Sequence, residues 1–162
     1  MPDSNVKKDA LNDALRILGR RMYTKKELVT KLQSKGYNEE IVGEIVGYCE
    51  ERRYVFDEDY AAFWIEHRCR FKPVGRYYLR GELLQKGVEK EIVEQKLAEL
   101  FPEEREMELL KVLIQRRHGS SRYRERPRSL LGFLERRGFS FELVQRAYGE
   151  LGLEFFPSGK DF

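Results

Sequence analysis

Three stretches decide the fold of this chain: KLQSKGYNEEIV at 31–42, ELLQKGVEKEIV at 82–93 and FLERRGFSFELV at 133–144. Each carries a glycine at its sixth position, so Gly36, Gly87 and Gly138 follow one another at intervals of 51 residues. The apolar positions around them recur in step. Leu32, Leu83 and Leu134 stand four before the glycine, and Leu28, Leu79 and Leu130 eight before. Ile41, Ile92 and Leu143 stand five after it, followed by Val42, Val93 and Val144. Self-similarity at a fixed interval marks tandem copies of one supersecondary unit, each burying its apolar face partly against its neighbour.

Outward from the glycines the apolar spacing is helical. A first helix is predicted over about 10–21, with Leu11, Ala14, Leu15 and Leu18 on one face. Thr24 and Glu27 form a capping box at the start of the next helix, which Gly36 ends as a left-handed residue. Asn38 caps a third helix. The second copy repeats this grammar. Asp57 is predicted as an N-cap, Tyr60, Ala61, Trp64 and Ile65 as an apolar stripe, most of Tyr60, Phe63 and Trp64 as core, and Lys-Pro-Val-Gly at 72–75 as the turn into the middle helix. In the third copy a helix over 103–117, beginning near Pro102, precedes an Arg-rich loop at 118–126; Pro127 restarts the chain and Ser140 caps the last helix.

The fold class is therefore all-α: three tandem three-helix-bundle repeats forming an elongated, curved array. Residues 1–9 are assigned as a flexible tail, 10–55 as repeat 1, 56–101 as repeat 2, 102–153 as repeat 3 and 154–162 as a C-terminal tail. Phe155 and Phe156 are the tail's candidate docking residues.

The composition excludes several classes. No apolar run approaches the ~20 residues of a membrane span, and no signal peptide opens the chain. Cys49 and Cys69 show no zinc spacing, which fits buried thiols and a cytoplasmic location. There is no P-loop, HExxH or nucleophile elbow, and no set of residues forms nucleophile, base and orienter, so no enzyme, metal or cofactor is expected. His67 and His118 lie beside arginines, a poor setting for a metal ligand. Asp57, Glu58 and Asp59 are read as first-turn acids of a helix.

The net charge of +3 matters less than its distribution. Residues 116–137 hold eight arginines against Glu125 and Glu135 alone. Arg68, Arg70, Lys72, Arg76 and Arg80 bracket the middle loop, with Tyr77 and Tyr78 among them. Arg116, Arg117, Arg122, Arg124, Arg126 and Arg128 surround Tyr123 in the third copy. Arginine forks bind phosphate bidentately and tyrosine faces stack bases, which suits nucleic acid. The same composition suits an acidic protein groove, or a solvated loop with no ligand.

The segment VFDEDYAAFWIEHRCRFKPVGRYYLRGELLQKGV at 55–88 resembles the middle repeat of the RecX family of recombinase regulators. The matching positions are Asp57, Asp59, Tyr60, Ala61, Trp64, Arg68, Gly75, Arg76, Arg80, Glu82, Leu83, Lys86 and Gly87. ALRILGRRMYTKKELVTKLQSKGY at 14–37 resembles the family's opening, while the third repeat departs from the pattern. The resemblance implies a negative regulator that binds the RecA–single-stranded DNA filament in its helical groove, with weak duplex binding left open; a monomer is expected, though the sequence does not fix the oligomeric state. The resemblance also implies inhibition of filament extension, ATP hydrolysis, strand exchange and co-protease activity; end-capping and groove-coating both fit. Candidate contacts are Arg68, Arg70, Arg76, Tyr77, Arg80, Lys86, Arg116, Arg117, Arg122, Arg124, Arg126 and Arg128. Two other classes remain open: a helix-turn-helix-like protein on duplex DNA, and a helical-repeat scaffold with protein partners only. Glu39, Glu40, Glu89 and Glu91 weigh against the first, because a recognition helix presents basic or amide groups to the groove.

Overall fold

The computed structural model describes residues 2–155, the side chains of 2 and 3 excepted, and within them every regular element is helical. In chain order these are α1 (Pro2–Leu18), α2 (Lys25–Ser34), α3 (Glu39–Glu51), α4 (Asp57–Phe71) and α5 (Arg76–Gln85). α6 (Lys90–Leu100), α7 (Glu103–His118), α8 (Ser121–Glu125), α9 (Pro127–Arg136) and α10 (Phe141–Glu150) follow. The middle helices α2, α5 and α9 are each 10 residues long and start 51 residues apart, as do α3, α6 and α10. The capping chemistry explains the constancy. Thr24 and Glu27 complete their box, and the side chains of Asn38 and Ser140 accept from Ile41 N and Leu143 N.

The chain forms two compact units, residues up to 63 with 83–93, and residues 64–82 with those from 94 onward. The division passes through α4, α5 and α6, so it does not follow the 51-residue copies. The core of the first unit joins Ala10 and Ala14 of α1 to Leu28 and Leu32 of α2 and to Val42 and Cys49 of α3. That of the second joins Leu110 and Ile114 of α7 to Leu130 and Leu134 of α9 and Val144 of α10. Each of the buried leucines, isoleucines and valines contributes about 1.5–3 kcal/mol.

Three expectations need correction. Residues 2–9 are not a loose tail but the first half of α1, tied to the unit by a 2.7 Å ion pair from Lys7 to Glu44 of α3. The 118–126 segment is not all loop, because α8 turns Tyr123 into the second core, where it is buried against Phe133. As expected of most of that trio, Tyr60 is buried and Trp64 half-buried, while Phe63 is exposed. Phe155 does dock, its ring edge-on to Phe141 and Tyr148 at 5.5 and 5.4 Å; Phe156 lies outside the described residues.

The third correction concerns Asp57, and it exposes how successive copies join. Asp57 does not cap its own helix: its Oδ1 accepts from the backbone N–H of Lys25, the first residue of α2, at 2.9 Å. In the second unit Glu106 of α7 does the same for Arg76, the first residue of α5, at 2.7 Å. Around each of these helix starts the turn glycine of the next copy docks. Thr24 Oγ1 donates to Lys86 O at 2.6 Å; 51 residues on, Gly75 N donates to Arg137 O at 2.7 Å. A methyl group on Gly87 would lie 2.5 Å from Lys26 Cβ, and one on Gly138 would lie 2.4 Å from Tyr78 N. All three turn glycines have positive φ, but Gly36 has nothing within 4 Å of its missing Cβ. The first glycine only ends a helix; the other two are also contact surfaces.

Burial pushes the Asp57 and Glu106 carboxyls above their ordinary values, against the pull of the backbone amides they accept from. For such a group the folded state holds its proton longer than the unfolded chain, so stability falls as pH rises from the ordinary value to the raised one. Glu106→Gln keeps an acceptor for Arg76 N and cannot ionise. Its stability relative to the parent should therefore rise with pH upward from about 4.5, the ordinary glutamate value. Glu106→Ala strands a buried amide and should cost about 1–3 kcal/mol. Urea unfolding of both variants between pH 4 and 8 checks this; a pH-independent Gln-to-Glu difference would contradict it.

Candidate nucleic-acid interface

The second unit contains a cleft of about 440 Å³ with cationic walls. Phe71 at the end of α4 and Lys72 and Pro73 after it form one side; Arg116 and Arg117 in the last turn of α7, with Leu113 and Ser120, form another. Arg137, the C-cap residue of α9, completes it. Among the described residues four cations line this cleft and no carboxylate does.

Hydrogen bonds join two walls of the cleft. Arg137 donates through Nη1 to Pro73 O at 3.2 Å while its own carbonyl accepts from Gly75 N, which fixes the loop against the end of α9. The Arg117 and Arg137 guanidiniums stand 4.2 and 5.0 Å from the Phe133 ring centroid. Contact with an aromatic face orients a guanidinium without neutralising it. Arg116 is exposed and makes no hydrogen bond or ion pair with any described residue. Arg116 and Arg117 also complement the negative end of α7, a sufficient local reason for cations there, but one that leaves their N–H groups for a ligand. At the rim Phe71 is 67% exposed, its ring 5.0 Å from that of His67. Such an arrangement can accept phosphate oxygens within and a flat apolar group at its edge.

Comparison with known proteins agrees with this architecture. Residues 10–49 match the family model described as RecX, first three-helix domain, and 57–97 match RecX, second three-helix domain. The chain belongs to the RecX family. It is 38% identical over 140 residues to the regulatory protein RecX of Caldanaerobacter subterraneus subsp. tengcongensis, covering 86% of this chain and 69% of that protein. To the regulatory protein RecX of Chlorobium phaeobacteroides it is 27% identical over 151 residues, covering 93% and 98%. Among solved structures, RecX from Lactobacillus salivarius superposes with a TM-score of 0.80 over 92% of this chain and 98% of that one; at 24% identity the likeness is one of fold. The relatives are named as regulatory proteins, and among the described residues no helix is long and apolar enough to cross a membrane.

Of the twelve candidate contacts of this RecX-family chain, only Arg116 and Arg117 line the cleft. Arg68 is occupied internally. It pairs bidentately with Glu82, which also accepts from Trp64 Nε1 at 2.9 Å, and its side chain is only 15% exposed. Arg76 is part of the joint, donating to Phe101 O at 2.5 Å. Arg80 pairs with Glu94 at 2.7 Å and Lys86 approaches Glu27 at 3.7 Å. Arg124 donates to Gly119 O, and Arg122 lies 5.5 Å from the Tyr123 ring. Arg70, Arg126 and Arg128 are exposed outside the cleft, as is Tyr77. Tyr123 is buried and presents no face for a base, whereas Tyr77 and Tyr78 stay exposed.

Phe71 and Arg137 were missed. A signal for Arg137 did exist: it precedes the third turn glycine as Lys35 and Lys86 precede the first two. Phe71 has no comparable signal, since at the end of an amphipathic helix it looks like any core residue. Neither cysteine is poised as a nucleophile, because burial pushes both thiols up.

Proposed function

We propose that this protein is a negative regulator of the RecA recombinase, acting in the cytoplasm on the filament that RecA forms with single-stranded DNA. It lies in the filament groove and slows extension, ATP hydrolysis, strand exchange and co-protease activity. The observation that carries the nucleic-acid part is the carboxylate-free cleft of Lys72, Arg116, Arg117 and Arg137 in a chain of the RecX family. Four cations with no carboxylate beside them among the described lining residues repel one another and favour an external polyanion. Single-stranded DNA within the filament supplies one, with Phe71 as a stacking face for an unpaired base. Against sequence-specific duplex binding stand Glu39 and Glu40 in the first turn of α3, which would meet the phosphates or base edges of a groove.

The test is RecA ATP hydrolysis on single-stranded DNA with this protein well below one molecule per RecA protomer. Strong inhibition at that ratio is expected, because blocking one growth site affects many subunits. No inhibition even at equimolar protein would overturn the assignment.

A further inference from the structure

The two joints share a cation pair but differ in how it is balanced. Arg21 and Lys86 in the first unit stand 51 residues before Lys72 and Arg137 in the second. In the first unit they line a cleft of about 270 Å³ together with Lys26, Thr30, Lys31 and one carboxylate, Glu27. Glu27 lies 3.3 Å from Arg21 Nη1 and 3.7 Å from Lys86 Nζ. The residue 51 positions after Glu27 is Tyr78, so the equivalent joint has no carboxylate there.

We propose that this cleft is a second binding site for the phosphodiester backbone of single-stranded DNA, held weak by Glu27. Four cations face a single carboxylate, and both ion-pair contacts are longer than the 2.7–2.9 Å of a strong charge-assisted hydrogen bond. Arg21 is half exposed at its side chain, and its guanidinium lies 3.6 Å from the Tyr23 ring centroid, which orients it. Lys26 and Lys31 are exposed, so they keep the cleft cationic even with Glu27 in place. An incoming phosphate competes with Glu27 for Arg21 and Lys86. Glu27 is thus an internal competitor that sets the affinity of the first joint below that of the second. The proposal rests on the second-joint cleft being a phosphodiester site.

Glu27→Gln isolates the charge. Glutamine serves a capping box as glutamate does, so the helix start at Thr24 is kept. Anisotropy titrations of a labelled oligo(dT) at several salt concentrations should show E27Q binding about 3–10-fold more tightly. The slope of log K against log salt should steepen by about 0.7–1.4, the value for one or two more cations reaching single-strand phosphates. Lys26→Gln with Lys31→Gln should shift both quantities the other way. An unchanged slope in E27Q, with helicity intact by circular dichroism, overturns the proposal. So does a gain in affinity for RecA without DNA and none for oligo(dT), which would make the cleft a protein contact. The variant Arg116→Glu with Arg117→Glu separates the levels. If it leaves oligo(dT) affinity unchanged, the second-joint site falls as well. If it weakens binding while E27Q is neutral, only the first-joint proposal falls.

Discussion

Gly138→Ala should destabilise the second unit by about 2–5 kcal/mol, while Gly36→Ala should cost the first only about 1–2. Both residues have positive φ, which disfavours any side chain by about 1–2 kcal/mol. They differ in what surrounds the missing methyl. At Gly36 there is open space; at Gly138 the methyl would lie 2.4 Å from Tyr78 N and 2.5 Å from Tyr78 Cβ. Those atoms belong to backbone and side-chain root and cannot rotate away, so α5 or the end of α9 must move. Overpacking of that kind adds about 1–3 kcal/mol. Trp64, the single tryptophan, is hydrogen-bonded to Glu82 within the second unit, so its fluorescence reports that unit's unfolding. A G138A transition no lower than that of G36A followed by far-ultraviolet dichroism would refute the docking role of the third glycine.

The double variant Arg116→Glu with Arg117→Glu should weaken binding to single-stranded oligonucleotide about 100-fold. Two hydrogen-bonded phosphate contacts of about 1.5 kcal/mol each are lost, and 1.4 kcal/mol corresponds to a factor of ten. The salt slope should become shallower by about 1.4, or about 0.7 for each phosphate contact removed. Stability should fall by about 1–2 kcal/mol, because both charges complement the negative end of α7, although Arg116 makes no hydrogen bond or ion pair with a described residue and Arg117 touches the Phe133 ring. The comparison is Arg122→Glu with Arg124→Glu, an equal charge change on exposed residues outside the cleft. A similar loss in both variants would show that diffuse charge, not the cleft, binds the DNA.

Much of the fold was legible in the chain because its signals are local. Helix periodicity, the Thr24 box, the Asn38 and Ser140 caps and the turn glycines act within about five residues of themselves. Even the family was visible in 55–88, where Asp57, Trp64, Arg68, Glu82 and Gly87 sit together. The errors arose where a residue works at long range. Asp57 caps a helix 32 residues away, so its neighbours suggest the wrong helix. Arg68 looks like a free cation until Glu82, 14 residues on, is brought against it. Tyr123 looks like a stacking residue within an arginine run, but a single turn of helix places it in the core.

The sequence by itself determined an all-helical chain of 51-residue copies, the helix boundaries that recur with them, and the family. Periodicity and capping are properties of neighbouring residues, and neighbours are what a sequence lists. Only the tertiary structure decided which cations are left without a partner from elsewhere in the described chain. An arginine's availability depends on whether a carboxylate, a carbonyl or an aromatic face from elsewhere in the chain reaches it first. Arg68 met Glu82 and Arg76 met Phe101 O; Arg116 met no partner among the described residues. Arg137, never a candidate, was brought beside Lys72 because a glycine turn docks on the start of α5.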